Sequence, residues 1–160
     1  MSKISAGLLM YRTLEGRLEV LLVHPGGPFW RNKDAGAWSI PKGETDPGED
    51  SLLAAKREFQ EETGTKPQGT FISLGNTTLK SGKIVHAWTF EGNCDPAAIK
   101  SNTVKIEWPP KSGKLQEFPE VDKAAFWSVA EARVKINPAQ IKFLERLEVI
   151  ANKASWKTSV

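Results

Sequence analysis

Three carboxylates close together in the sequence, Glu58, Glu61 and Glu62, could do chemistry. Arg57 directly precedes them, Glu49 lies further back, and Gly43 and Gly64 bracket the whole. On a helix Glu58 and Glu62 stack one turn apart with Glu61 beside them, so the acids crowd one edge. Like charges at that spacing repel by about a few tenths of a kcal/mol per pair, so gathering them costs stability unless a cation sits among them. Oxygen donors in this number suit Mg²⁺, for which Mn²⁺ can substitute. A solvated acidic helix face is the commoner meaning of a short charge run. The spacing G-x5-E-x7-R-E-U-x-E-E-x-G, where U is bulky and apolar, argues for a metal site instead. Arg57 is expected to pair with Glu49 and hold the intervening loop on the helix.

The elements that must position these groups follow from local patterns. Asp46-Pro47-Gly48-Glu49 is turn chemistry, and Asp50 or Ser51 can cap the helix expected over residues 52–63. Gly64 suits its left-handed end. Leu52, Ala55 and Phe59 form a stripe for burial. Residues 4–11 and 18–23 read as strands around a turn at 12–16, and 26–36 as a long glycine-rich loop. A short strand at 38–40 delivers Pro41-Lys42-Gly43. Strands are also expected at 69–78 and 83–91 around Ser81-Gly82, at 103–108 before Pro109-Pro110, and at 124–127. Ser128 caps a helix through Val134, and Pro138 opens a last helix with Ile141, Leu144, Leu147 and Ile150 facing the core. The order β-β-β-α-β-β-β-β-α-α predicts a mixed sheet with helices on both faces, one domain over 1–160.

With 160 residues, 39% of them hydrophobic, the chain can bury a substantial core without any run of membrane-spanning length. The Met1-Ser2-Lys3 start leads straight toward a strand with no signal-peptide core, which makes the cytoplasm the expected compartment. Cys94 is the single cysteine, so an intrachain disulfide and a cysteine-rich zinc site are excluded. The net charge of +3 must lie away from the acidic edge. Lys100, Lys105, Lys111 and Lys114 gather in one stretch, and Arg31, Lys33 and Lys42 precede the acids. These could line a polyphosphate site or simply solubilise the surface. They form no dense run and no nucleic-acid-binding pattern, so no nucleic-acid partner is expected.

The spacing resembles the Nudix box, and the likeness extends over nearly the whole chain. Phe59 fills a position usually aliphatic, and Thr65 replaces the aliphatic residue that commonly follows the last glycine; both concern packing. The resemblance implies an α/β fold, the Nudix-type α/β/α sandwich with a mixed sheet, and hydrolysis of a diphosphate linked to another group, usually a nucleoside. It implies Glu58 and Glu62 as the strongest metal ligands, Glu61 as ligand or water-activating base, and the Lys42 backbone carbonyl as a further ligand. Several Mg²⁺ ions would be held. A further acidic ligand often comes from a distant loop, for which Glu120 is the candidate and Glu117 and Glu107 compete. A solvated loop acid is an equal reading of Glu120. The family is also compatible with a homodimer.

Trp30, beside Arg31 and Lys33, is a candidate for holding a base, as are Trp88 and Trp108, though an aromatic in a strand more often packs inward. His24 and His86 are given no role. The segment Trp38-Ser39-Ile40-Pro41-Lys42-Gly43 looks like the W-x-x-P-K-G approach of diadenosine tetraphosphate hydrolases and their diphosphoinositol-phosphate and RNA-pyrophosphohydrolase relatives. Lys42 would place a cation near an extended phosphate chain. The nucleotide-pool-cleaning branch typically has Pro-Gly-Gly there, and the downstream proline of ADP-ribose hydrolases is missing. A dinucleoside tetraphosphate, cut to ATP and AMP, is the favoured small-molecule substrate. The alternatives are canonical or oxidised (d)NTPs and, last, a catalytically silent nucleotide-binding domain, against which all three box carboxylates argue.

Overall fold

Two strands that are apolar on both sides organise the molecule, and such strands must be covered on both faces. In this computed structural model, which describes residues 3–158, they are β1 (Ile4–Leu14) and β2 (Arg17–Pro25). Met1 and Ser2 of the expected start, and the last two residues of the 1–160 domain, lie outside the described residues. The hairpin turn is tighter than the expected 12–16: Leu14 pairs with Arg17, leaving only Glu15 and Gly16, at φ of 52° and 78°. Two successive positive φ values match the right-handed strand twist, which lets pairing run on through Arg12 and Glu19.

The remaining elements are β3 (Lys42–Glu44), α1 (Ser51–Thr63), β4 (Ile72–Thr78), β5 (Ile84–Glu91), β6 (Thr103–Glu107), β7 (Leu115–Pro119), β8 (Val121–Ser128), α2 (Val129–Lys135) and α3 (Ile141–Thr158). The main sheet runs β4-β5-β1-β2-β8, with β3 added antiparallel to β1. Of its ladders, β1 with β5 is parallel and the others are antiparallel. Alternation along β1 and β2 divides the core. Ala6, Leu8, Met10 and Leu21 pack with Ala54, Ala55 and Phe59 of α1. Leu9, Val20 and Leu22 pack with Ala132 of α2 and with Phe143, Leu144 and Leu147 of α3. The α/β/α layering expected from the sequence is therefore present.

Three local expectations are corrected. Residues 38–40 make isolated bridges, Val23 to Ser39 and Trp38 to Ile136, and the ladder proper begins at Lys42. Pro41 has no N–H to pair, and the Ile40 N–H donates instead to the buried Gln140 side chain (3.1 Å). Strand β7 was not expected, because Leu115, Gln116 and Glu117 are all exposed and show no inward-outward alternation. It pairs with β6 in a separate two-stranded ribbon. Pro138 opens a 3-10 turn, Pro138–Gln140, rather than α3 itself.

Candidate active site

The acidic helix is fixed from both ends and along one side. The Asp50 side chain accepts the Leu53 N–H, and Gly64 at φ 78° donates its N–H to the Gln60 carbonyl. Of the expected stripe, Ala55 and Phe59 are fully buried and Leu52 is half-buried. The Phe59 ring meets Phe90 edge-on at 5.4 Å between centroids. The larger aromatic at this box position is thus absorbed by a matching ring in β5, and aromatic pairs favour this geometry.

Helical geometry then separates the three acids. Glu58 and Glu62 are 7% and 4% exposed, whereas the Glu61 side chain is 39% exposed and turns toward Arg57. Adjacent residues lie about 100° apart around the axis, so Glu61 cannot share the direction of Glu62. The third carboxylate of the group is the half-buried Glu120, between β7 and β8. Oxygens of Glu58, Glu62 and Glu120 all lie within 4.8 Å of one another. Its competitors point elsewhere: Glu117 accepts from the Thr103 hydroxyl and Glu107 from the Lys111 N–H.

Arg57 organises the other side of the helix. Its Nε and Nη2 donate to the two oxygens of Glu49 at 2.9 and 3.0 Å. Its Nη1 donates to Glu58 (2.8 Å) and Glu61 (3.2 Å), and Nη2 also reaches the Glu44 carbonyl (3.3 Å). Glu49 in turn accepts the Asp46 N–H, so the loop is held as the sequence suggested. These bonds, those from Arg57 foremost, hold the Glu49 carboxyl down at about 2. A depressed folded value means that the link contributes above the ordinary carboxylate range and is lost as pH falls toward about 2. Between about pH 5 and 2.5 the melting temperature of the wild type should therefore fall further than that of Glu49→Gln. Parallel slopes would remove Glu49 from the acid response.

Burial acts oppositely inside the cleft. It raises the Glu58 carboxyl, with Glu61 adding to the effect, and raises that of Glu62 well above its ordinary range, with Glu120 next in importance. Lys42 faces Glu62 and Glu120, and burial lowers its ammonium from the usual Lys value. A cleft lined by Val23, Pro25, Ser39, Ile40, Lys42, Glu62, Glu120 and Val121 gives access to the group. Gly43 lies against the acids: a Cβ there would overlap the Glu58 carboxylate. Gly7 serves the neighbouring strand, since a Cβ would stand 2.6 Å from the Pro41 carbonyl oxygen and 2.7 Å from the Lys42 Cβ. Two buried carboxylates and a half-buried one, crowded near one lysine and offering oxygen donors alone, fit a hard divalent cation.

A model of the NUDIX domain matches residues 1–147. The chain belongs to the NUDIX family. Among curated relatives it is similar to a Caenorhabditis elegans bis(5'-nucleosyl)-tetraphosphatase (asymmetrical), 45% identical over 106 residues that span 66% of each protein. An RNA pyrophosphohydrolase of Nitrobacter winogradskyi is 39% identical over 66 residues, 37% of its length. The matched stretch thus spans just under two thirds of the first relative and little over a third of the second. A solved C. elegans Ap4A hydrolase complex superposes with a TM-score of 0.65, covering 94% of this chain and 98% of the other at 24% identity. The NUDIX domain of Shewanella oneidensis NrtR, bound to ADP ribose, superposes at 0.66 with 16% identity. At such identities the superpositions speak for the fold.

Other residues singled out in this NUDIX chain lie apart from the carboxylate group. Trp30 and Arg31 are exposed on the glycine-rich loop and do not line the cleft; the Lys33 ammonium stands 5.2 Å from the Trp30 ring centre. Trp108 meets Phe29 edge-on at 5.3 Å, joining the ribbon to that loop, while Trp88 packs against the α1-side core. His24 has a structural place. Buried beside Trp38, its Nδ1 lies 2.8 Å from Asp122 and its Nε2 2.6 Å from the Lys33 carbonyl, tying the loop to β8. Sequence reasoning missed Lys83, whose ammonium is 3.2 Å from Glu44 and whose charge reaches Lys42. Its placement depends on the parallel β1–β5 register, which no local signal announces. Among the described residues no helix is long and apolar enough to cross a membrane.

Proposed function

We propose that this NUDIX chain is a Mg²⁺-dependent pyrophosphohydrolase of nucleoside polyphosphates, with a dinucleoside tetraphosphate as favoured substrate. The observation that carries the reading is the convergence of Glu58, Glu62 and Glu120, of which Glu62 and Glu120 line one cleft with Lys42. Glu58, Glu62 and Glu120, with the Lys42 carbonyl, would hold Mg²⁺, or Mn²⁺ in its place. Such ions supply charge screening at the attacked phosphorus and acidify bound water. The chain's own groups do the rest. A carboxylate at the cluster orients the attacking water and accepts its proton, and Glu61 remains either ligand or that base. The Lys42 ammonium, a cleft residue within electrostatic reach of the acids, would attract the phosphate chain and offset charge on the departing phosphate. Lys42 is the one cation lining the cleft among the described residues, and a cation there suits an extended phosphate chain. Trp30 and Arg31, outside the cleft itself, are assigned to the nucleoside end of a long substrate.

The C. elegans tetraphosphatase supports this substrate class by its similarity. A cytoplasmic setting belongs to the same reading. Incubation with diadenosine tetraphosphate and Mg²⁺ should release ATP and AMP. Absence of turnover at micromolar enzyme would remove the substrate assignment, and faster release of pyrophosphate from a (d)NTP at equal concentration would replace it with the alternative.

A further inference from the structure

Glu120 comes from a different part of the chain than α1, yet its carboxylate joins those of Glu58 and Glu62. Residues 100–102 connect the two. The last turn of a helix leaves carbonyls without intrahelical partners. In α1 the Thr63 carbonyl accepts the Lys100 N–H (3.1 Å) and the Glu61 carbonyl accepts the Asn102 N–H (2.9 Å). The Asn102 carbonyl then accepts the Glu120 N–H (2.9 Å), and the Gly26 N–H donates to the Glu120 carbonyl (2.9 Å). Both peptide groups of Glu120 are therefore engaged, one of them through a bridge that starts on the helix carrying Glu58 and Glu62.

Within this bridge one side chain acts on the peptides around Glu120. The Ser101 Oγ accepts the Val121 N–H at 3.0 Å and donates to the Asn102 carbonyl at 2.8 Å, the same carbonyl that receives the Glu120 N–H. The hydroxyl thus fixes the peptide on either side of the acid. We propose that Ser101 is a positioning residue for the reaction: its hydroxyl sets the Glu120 carboxylate against Glu58 and Glu62, and so governs the affinity of the site for a divalent cation. This rests on the reading of Glu120 as a ligand. Groups that orient a metal ligand from behind typically change metal affinity about 10- to 100-fold when removed.

The test is Mn²⁺ titration of the metal-free 160-residue chain by calorimetry, with melting temperature measured in parallel without metal. Ser101→Ala should weaken Mn²⁺ binding about tenfold, and Ser101→Thr, which keeps the hydroxyl, should stay within about twofold of wild type. Wild-type affinity in Ser101→Ala overturns the proposal, as does a lowered melting temperature with affinity unchanged, which marks a merely structural role. Glu120→Gln separates the two readings. If it weakens Mn²⁺ binding while Ser101→Ala does not, the positioning role alone falls; if neither changes affinity, the assignment of Glu120 as ligand falls with it.

Discussion

Glu62→Gln should lower Mg²⁺-dependent turnover about a thousandfold while the metal-free protein melts close to, or above, the wild-type temperature. Glu62 is 4% exposed, and its carboxyl is raised by burial first and by the charge of Glu120 second. A group whose folded pKa exceeds its unfolded one contributes stability below the unfolded value, and that contribution is lost as pH rises through the folded value. Near neutral pH the ionised acid is therefore a cost to the metal-free fold. Glutamine removes that charge, keeps the shape and can still accept the Lys42 N–H that now lies 3.4 Å from Glu62. Lys42 loses its main counter-charge, which limits the gain, though Glu58 and Glu120 remain beside it. Added Mg²⁺ should raise the wild-type melting temperature more than that of the variant, by mass action on the folded state. A metal-free variant that melts far below wild type would show Glu62 to be a structural residue rather than a charge held for a cation.

The second large effect is expected at Arg57, where charge alone is insufficient. The guanidinium makes a two-point contact with Glu49 and also reaches Glu58, Glu61 and the Glu44 carbonyl. A lysine keeps the charge but cannot span those directions from one planar group. Arg57→Lys should cost about 2 kcal/mol of stability, the scale for losing charge-assisted hydrogen bonds at a partly exposed site. Turnover should fall about 100-fold, because Glu58 loses the hydrogen bond that holds its Oε1. Chemical denaturation and steady-state rates measure the two together. Turnover within about twofold of wild type in Arg57→Lys would mean that charge, and not the fork of bonds, is what the site needs.

Local chemistry made the helix legible. Asp50, Gly64 and the Ala55 and Phe59 stripe are each short-range signals, and the Arg57–Glu49 pair follows from one turn beside one helix. Long-range register was not legible. Helical spacing already pairs Glu62 with Glu58 rather than with Glu61, but it is the sheet beneath α1 that buries the pair. Lys83 enters through a parallel ladder, and Ser101 through a hydrogen bond from a peptide N–H twenty residues further along the chain. Strand β7 stayed hidden because a ribbon packed on one side has few buried positions to betray it. Glu120 is the candidate that the sequence offers, with Glu117 and Glu107 as competitors, and what separates them in space is the partner each side chain meets.

That ribbon has a consequence for how such an enzyme can diversify. The chain enters it from Asn102 and leaves it at Glu120, and these two residues are joined by a backbone hydrogen bond of 2.9 Å. Thr103 and Pro119 pair immediately above that bond, and neither β6 nor β7 belongs to the main sheet. The excursion is closed at its own neck. Lengthening, shortening or recolouring residues 109–114, beyond the Trp108–Phe29 contact, leaves both of its posts standing, so the ribbon's tip is free to drift in sequence while the acid at its foot keeps its address.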